Sequence, residues 1–191
     1  MAKTTKSKAP GKQTTTAKDS HPVVDLERYA PAYLTWIANK LSGGASSAYL
    51  RAFDAGIETW RILVLLAIEP SLTAQSISRT IGMDKASVSR VFKTMQTRGL
   101  ISFNLDENDG RLRLATITAK GRALHDQILE LAQERERVFL SVLKDDERET
   151  LLNLLHRLHD NLPAVETATT EFLQAHYPKA ITRRPRGQTS I

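Results

Sequence analysis

The residues best placed to do chemistry lie in the segment 85–97, KASVSRVFKTMQT. Wound as a helix at about 100° per residue, it puts Val88, Val91, Phe92 and Met95 in one sector and Ala86, Ser89, Arg90, Lys93 and Thr97 on the opposite side. That second side is small, hydroxylic or cationic and holds no carboxylate after Asp84, whereas a merely solvated face usually mixes Glu with Lys. The chemistry it suits is recognition of a polyanion. In a helix entering a DNA major groove, Arg90 offers a bidentate contact to guanine and Ala86 allows close approach to base edges, including a thymine methyl. Arg90 and the run Lys85–Ser89 are therefore the candidate base readers. Ser87 and Ser89 are further candidates to hold phosphates, with Lys93 as a second point charge. An exposed basic helix on an unrelated globular protein would share part of this pattern.

A second cationic group lies downstream. Ile101, Phe103 and Leu105 alternate with polar residues, Asp106-Glu107-Asn108-Asp109-Gly110 forms a turn, and Arg111-Leu112-Arg113-Leu114 alternates again. The period of two predicts a hairpin with Leu112 and Leu114 on one face and Arg111 and Arg113 on the other. Arg111 at the tip suits a narrow minor groove, where the negative potential is enhanced. Asp109 is close enough in sequence to brace either arginine, although an ordinary solvated hairpin with a local ion pair would read the same way and be worth little energy.

These groups need elements to hold them. Thr73 predicts a helix cap, with Ala74, Ile77 and Ile81 facing inward and Gly82 ending the helix; Asp84 then caps the cationic helix, which runs to about Gly99. Two helices, a tight turn and a hairpin over 72–117 make a helix-turn-helix with an arginine-bearing wing. Upstream, Asp25 to Phe53 reads as a long helix with Leu26, Tyr29, Tyr33, Ile37 and Leu41 along one stripe, and Gly43-Gly44 predicts a kink or break within it. Glu58 to Ile68 is a nearly all-apolar helix ended by Pro70. Downstream, Thr118 caps a helix to about Leu143 with Leu124, Ile128, Leu131, Val138 and Val142 near heptad spacing. Another begins at Asp145-Asp146 and carries Leu151, Leu154, Leu155, Leu158 and Leu162 up to Pro163. These leucines exceed what one small winged helix needs to cover itself, so the terminal helices (25–55 and 118–162) are expected to interlock with a second copy.

The runs D-K-A-S-V-S-R-V, T-R-G-L-I and D-E-N-D-G-R-L-R-L-A-T-I-T-A-K-G resemble the MarR (multiple antibiotic resistance regulator) family of bacterial winged-helix regulators. Asp109 and Arg111 match the family's wing pair, Thr118, Lys120 and Gly121 match the opening of the next helix, and Trp60-Arg61-Ile62-Leu63 is similar to a Trp-Arg-x-Leu often seen earlier. Ile117 stands where leucine is usual. The similarity spans about residues 29–162. The resemblance implies a mainly α fold with a small β-hairpin wing, flanked by dimerisation helices. It also implies a homodimeric repressor bound to double-stranded DNA at a pseudo-palindromic site. A small effector, an aromatic or phenolic acid or a related thioester, would release it. Tyr33, Trp36, Trp60 and Arg61 are the candidate effector residues, each with packing as its alternative role.

Composition agrees with an acidic partner. The 191 residues hold 27 Lys+Arg against 21 Asp+Glu, a formal charge of +6, and no cysteine, which removes disulfides, thiolate metal sites and thiol-based oxidant sensing. No apolar run approaches bilayer length, so a cytoplasmic protein with no membrane partner is expected. Residues 1–20 read as a disordered basic tail, 21–175 as the winged-helix domain and 176–191 as a second basic tail. No catalytic constellation emerges: there is no nucleophile elbow or glycine-rich phosphate loop, and neither an enzyme nor a cofactor is expected. His156 and His159, one helical turn apart beside Asp160, lack a second cluster and read as solvated rather than metal-binding. The rival readings are a winged-helix protein that coats DNA without sequence preference or binds protein, and a helical small-molecule enzyme.

Overall fold

The computed structural model describes residues 23–105 and 112–181. The chain divides into two compact units, 1–58 and 59–191, taken in turn below.

The first unit is built on α1, Ala30–Phe53, with Pro31 in its first turn. Proline there has no amide to lose and its φ is already helical, which is why the helix starts at Ala30 rather than Asp25. Contrary to the break expected at Gly43-Gly44, α1 is continuous through both glycines. Each costs about 1 kcal/mol relative to alanine, and the turns just beyond them bury Ala45 and Tyr49. The helix closes on Asp54 in the left-handed conformation (φ 51°), whose amide donates to Leu50 O.

The second unit takes in most of α2, Ile57–Ile68, followed by α3, Ala74–Ile81, α4, Lys85–Thr97, β1, Ile101–Leu105, β2, Arg113–Ile117, and α5, Ala119–Phe139. Its core is contributed by every one of these: Ile62, Leu63 and Leu66, Ile77, Val88, Phe92 and Met95, Leu100 and Ile101, Ala115, with Leu124 packed against them. The inward stripe read for 85–97 is the buried one, with Val91 half-buried beside its three buried partners. β1 and β2 pair antiparallel, Ile101 opposite Ile117, Phe103 opposite Ala115 and Leu105 opposite Arg113. Leu72 adds a bridge not foreseen, exchanging both backbone hydrogen bonds with Ala115 (2.8 and 3.1 Å) and tying the entry of α3 to the hairpin.

α5 ends at Phe139, and its apolar stripe emerges from the core along its length: Ile128 is buried, whereas Val138 and Val142 beyond it are exposed. α6, Asp145–Asp160, opens with three acids, and the Glu147 carboxylate accepts the Lys144 amide at 2.8 Å. Pro163 does not end the helical region. It sits in the first turn of α7, Leu162–His176, which the sequence reading missed, and a short α8, Pro178–Ile181, follows.

Candidate nucleic-acid interface

Local capping sets the geometry of α3 and α4. Thr73 Oγ1 accepts the Ser76 amide at 3.0 Å, Gly82 adopts the left-handed conformation (φ 68°) that a β-carbon disfavours, and Asp84 Oδ1 accepts the Ser87 amide at 2.8 Å. The hydroxyl and amide of Ser87, then the charge of Arg90, hold the Asp84 carboxyl below its ordinary range. Arg90 Nη2 in turn donates to Ser87 Oγ at 2.7 Å. Asp84, Ser87 and Arg90 thus form a chain along the first turn of α4 that stations the guanidinium on the outward face.

Lys85, Ala86, Ser89, Arg90 and Lys93 are all exposed on that face and Ser87 is half-buried. Ser89 donates its hydroxyl proton to Lys85 O at 2.9 Å, and Thr97 does the same to Lys93 O at 3.0 Å. Ser89 therefore turns lone pairs, not a proton, toward whatever approaches.

Arg113 is exposed at the turn end of the hairpin, opposite Leu105, and the register puts it on the face of Ile101, Phe103, Ala115 and Ile117. Its guanidinium carbon lies 4.3 Å above the centroid of the Phe103 ring. Phe103 meets Phe92 of α4 edge to face, centroids 5.4 Å apart. Between α4 and the hairpin lies a groove of about 390 Å³ lined by Ala74, Ser89, Phe92, Lys93, Gln96, Phe103 and Arg113. The structure thus brings Ser89 and Lys93 together with Arg113, whereas Asp109 and Arg111, like the tail 1–20, lie outside the described residues.

The C-terminal end of α4 is stitched to α5. The carbonyls of Arg98, Gly99 and Leu100 accept from Lys120 Nζ (2.8 Å), Thr118 Oγ1 (2.7 Å) and the Thr118 amide (3.1 Å). The same Thr118 Oγ1 accepts the Gly121 amide and caps α5.

The effector candidates fall in separate units. On α1, Tyr33 and Trp36 are 45% and 44% exposed and pack edge to face at 5.6 Å. On α2, Trp60 and Arg61 are half-buried. Trp60 stacks on His125 of α5 at 5.3 Å, and His125 Nδ1 lies 2.8 Å from Asp126 Oδ1. His125 went unnoticed in the sequence: a lone histidine carries no local signal, and only the α2–α5 contact reveals its partner. His156 and His159 are exposed on α6, and among the described residues no group of three potential metal ligands gathers.

A model of the MarR family matches residues 56–112. The MarR/EmrR family transcriptional regulator from Acinetobacter sp. ADP1 superposes with a TM-score of 0.69 at 31% identity, covering 74% of this chain and 99% of its own. The HTH-type transcriptional regulator YdgJ of Bacillus subtilis is 26% identical over 108 residues, 55% of this chain and 64% of its own length, so the match spans just under two thirds of that relative. BpsR of Bordetella bronchiseptica, whose DNA binding is regulated by 6-hydroxynicotinic acid, shares the fold with a TM-score of 0.65 at 19% identity, over 73% of this chain and 99% of its own. With two helices, a capped turn and a hairpin already placed as such a protein requires, and with 31% identity across nearly the whole Acinetobacter chain, this chain belongs to the MarR family of DNA-binding winged-helix transcriptional regulators.

Proposed function

We propose that the protein is a homodimeric, ligand-responsive repressor that reads a pseudo-palindromic operator. The observation that carries the reading is the outward face of α4: it holds no acid, and its arginine is stationed by Ser87 and Asp84 before any DNA arrives. Arg90 and the run Lys85–Ser89 read bases, Lys93 and Arg113 meet the backbone, and Arg111 enters the minor groove. Twofold symmetry sets the two recognition helices about one helical turn apart.

Support for the dimer comes from apolar surface. Tyr29, Tyr33, Leu34 and Ile37 of α1 and its approach are exposed, as are Leu154, Leu158, Leu162, Val165 and Phe172 along α6 and α7. A monomer would leave both stretches in water, at about 25 cal/mol per Å². The effector is an aromatic acid, as 6-hydroxynicotinic acid is for BpsR. On α2, Trp60 supplies aromatic surface for it and Arg61 pairs with its carboxylate. Release requires that the effector favour the form with the weaker grip on the operator.

The test is selection of bound sequences from a random DNA pool at near-physiological salt. A pseudo-palindrome with half-sites one turn apart is expected. Binding without any motif would mean a coating protein, and absence of binding would remove the DNA reading altogether.

A further inference from the structure

We infer that the groove between α4 and the hairpin is a preformed seat for one backbone phosphodiester, with Phe103 as the residue that positions Arg113 in it. The inference rests on the DNA-binding reading above and deepens it.

Three observations converge on this groove. First, among the described residues neither of its two cations, Lys93 and Arg113, has a carboxylate partner. Second, Arg113 does not sweep freely as an exposed arginine would. Its guanidinium carbon lies 4.3 Å above the Phe103 ring, which meets Phe92 edge to face, and Phe92 is only 5% exposed in the core beneath the recognition helix. A cation over a ring gains about 0.5–1 kcal/mol at an exposed site, enough to favour one rotamer while leaving the N–H groups at the guanidinium's rim free to donate. Third, the opposite wall is the outward face of α4 itself, where Ser89, Lys93 and Gln96 lie within two turns. A duplex that presents a major groove to Arg90 runs its flanking strand past this notch.

The occupant follows from chemistry and place. Two cations a groove's width apart, one a planar donor, match an oxyanion. Their position beside the recognition face makes that oxyanion the DNA backbone rather than a free carboxylate. Phe103 and Phe92 supply the dry floor that keeps water from competing, and they carry no sequence information, so the seat fixes register and leaves base choice to Arg90.

The experiment measures affinity for a random-sequence duplex, several helical turns long, as a function of salt. The proteins compared are wild type, Lys93→Ala, Arg113→Ala, Phe103→Leu and the Phe103→Leu/Arg113→Ala double variant. Each lost phosphate contact should lower the slope of log K against log salt by about 0.9. Lys93→Ala and Arg113→Ala are each expected to show that drop. Phe103→Leu, which changes no charge, should show most of it. The double variant should match Arg113→Ala alone, the non-additivity expected of residues that act as a unit. An unchanged slope for Phe103→Leu, or additive losses in the double variant, overturns the positioning role. Because Lys93 and Arg113 are exposed, their variants keep the test decisive if Phe103→Leu fails to fold. Benzoate titrated without DNA separates the two sources of oxyanion. Benzoate binding abolished by Arg113→Ala, together with an unchanged DNA slope, would make the groove a small-carboxylate site and overturn the proposal. Wild type without affinity for the duplex sinks the DNA reading itself. Normal binding by wild type, with both alanine variants unchanged in slope, sinks only the seat.

Discussion

The α-carbon of Gly121 is packed against the carbonyl of Leu100 so closely that a β-carbon there would overlap the oxygen. The contact is one of the points at which α5 is joined to the turn after α4, and the obstruction is backbone, which cannot swing aside. Gly121→Ala is therefore expected to lower stability by about 1–3 kcal/mol, read as a fall in the urea midpoint at unchanged m. Its DNA affinity should fall as well, since the displaced turn carries the end of the recognition helix.

The cap at Asp84 predicts an acid limb. Its carboxyl titrates below the ordinary range because of the Ser87 hydroxyl and amide and then Arg90. A depressed folded value means that its stabilising contribution is complete above the unfolded value, near pH 4, and is lost as the pH falls through the folded one. Asp84→Asn keeps an oxygen to cap the helix but removes the charge, and should flatten stability against pH in that window. Asp84→Ala should destabilise at every pH. Thermal melts between pH 2 and 6 distinguish the three proteins; coincident curves for wild type and Asp84→Asn would show that the charge contributes nothing.

Arg90 and Ser89 should separate by readout. Arg90→Ala is expected to cost about 1–3 kcal/mol and to relax preference at particular base pairs. Ser89, its proton spent on Lys85 O, can only accept on its outward side. Ser89→Ala should therefore weaken preference at a base that presents an amino group, by about 1 kcal/mol, with no change in salt slope. A uniform loss across sequences, or a shallower slope, would assign Ser89 to phosphate instead.

Val165→Asp with Phe172→Asp places two charges on the apolar side of α7, where both residues are about half exposed. Sedimentation should show the dimer weakened about 100-fold. An unaltered oligomeric state would leave α7 outside the interface.

Arg61→Ala tests the effector assignment. With 6-hydroxynicotinic acid as probe, the variant should keep wild-type operator affinity yet resist release, followed by fluorescence anisotropy of labelled DNA. Release at wild-type concentrations would free Arg61 from that role.

The parts of the fold legible in the sequence were those set by local chemistry. The Thr73, Asp84 and Thr118 caps each join a side chain to an amide three residues on, so type and spacing suffice. The two faces of α4 follow from helical period alone. Proline was read for its interruption but not its direction: Pro163 lacks an amide and fixes φ whether it ends a helix or begins one, and here it begins α7. At Gly43-Gly44 the local cost was real, but the burial of Ala45 and Tyr49 that accompanies a continuous helix is not a local property. The Phe103–Arg113 stack needed the strand register, which the intervening turn sets, and the Trp60–His125 stack needed two helices far apart in sequence to meet.

The junction of α4 with α5 also has a mechanical meaning. Three successive carbonyls are fastened at the very start of a 21-residue helix, so α5 is a lever with its short arm gripping the recognition helix. At 1.5 Å per residue the long arm is about 31 Å. Tilting that arm by about 5° would move its far end about 2.7 Å over the same length, with the near end held at the turn after α4. The exposed Val138 and Phe139 lie at that far end, a helix length from the turn that closes the recognition helix.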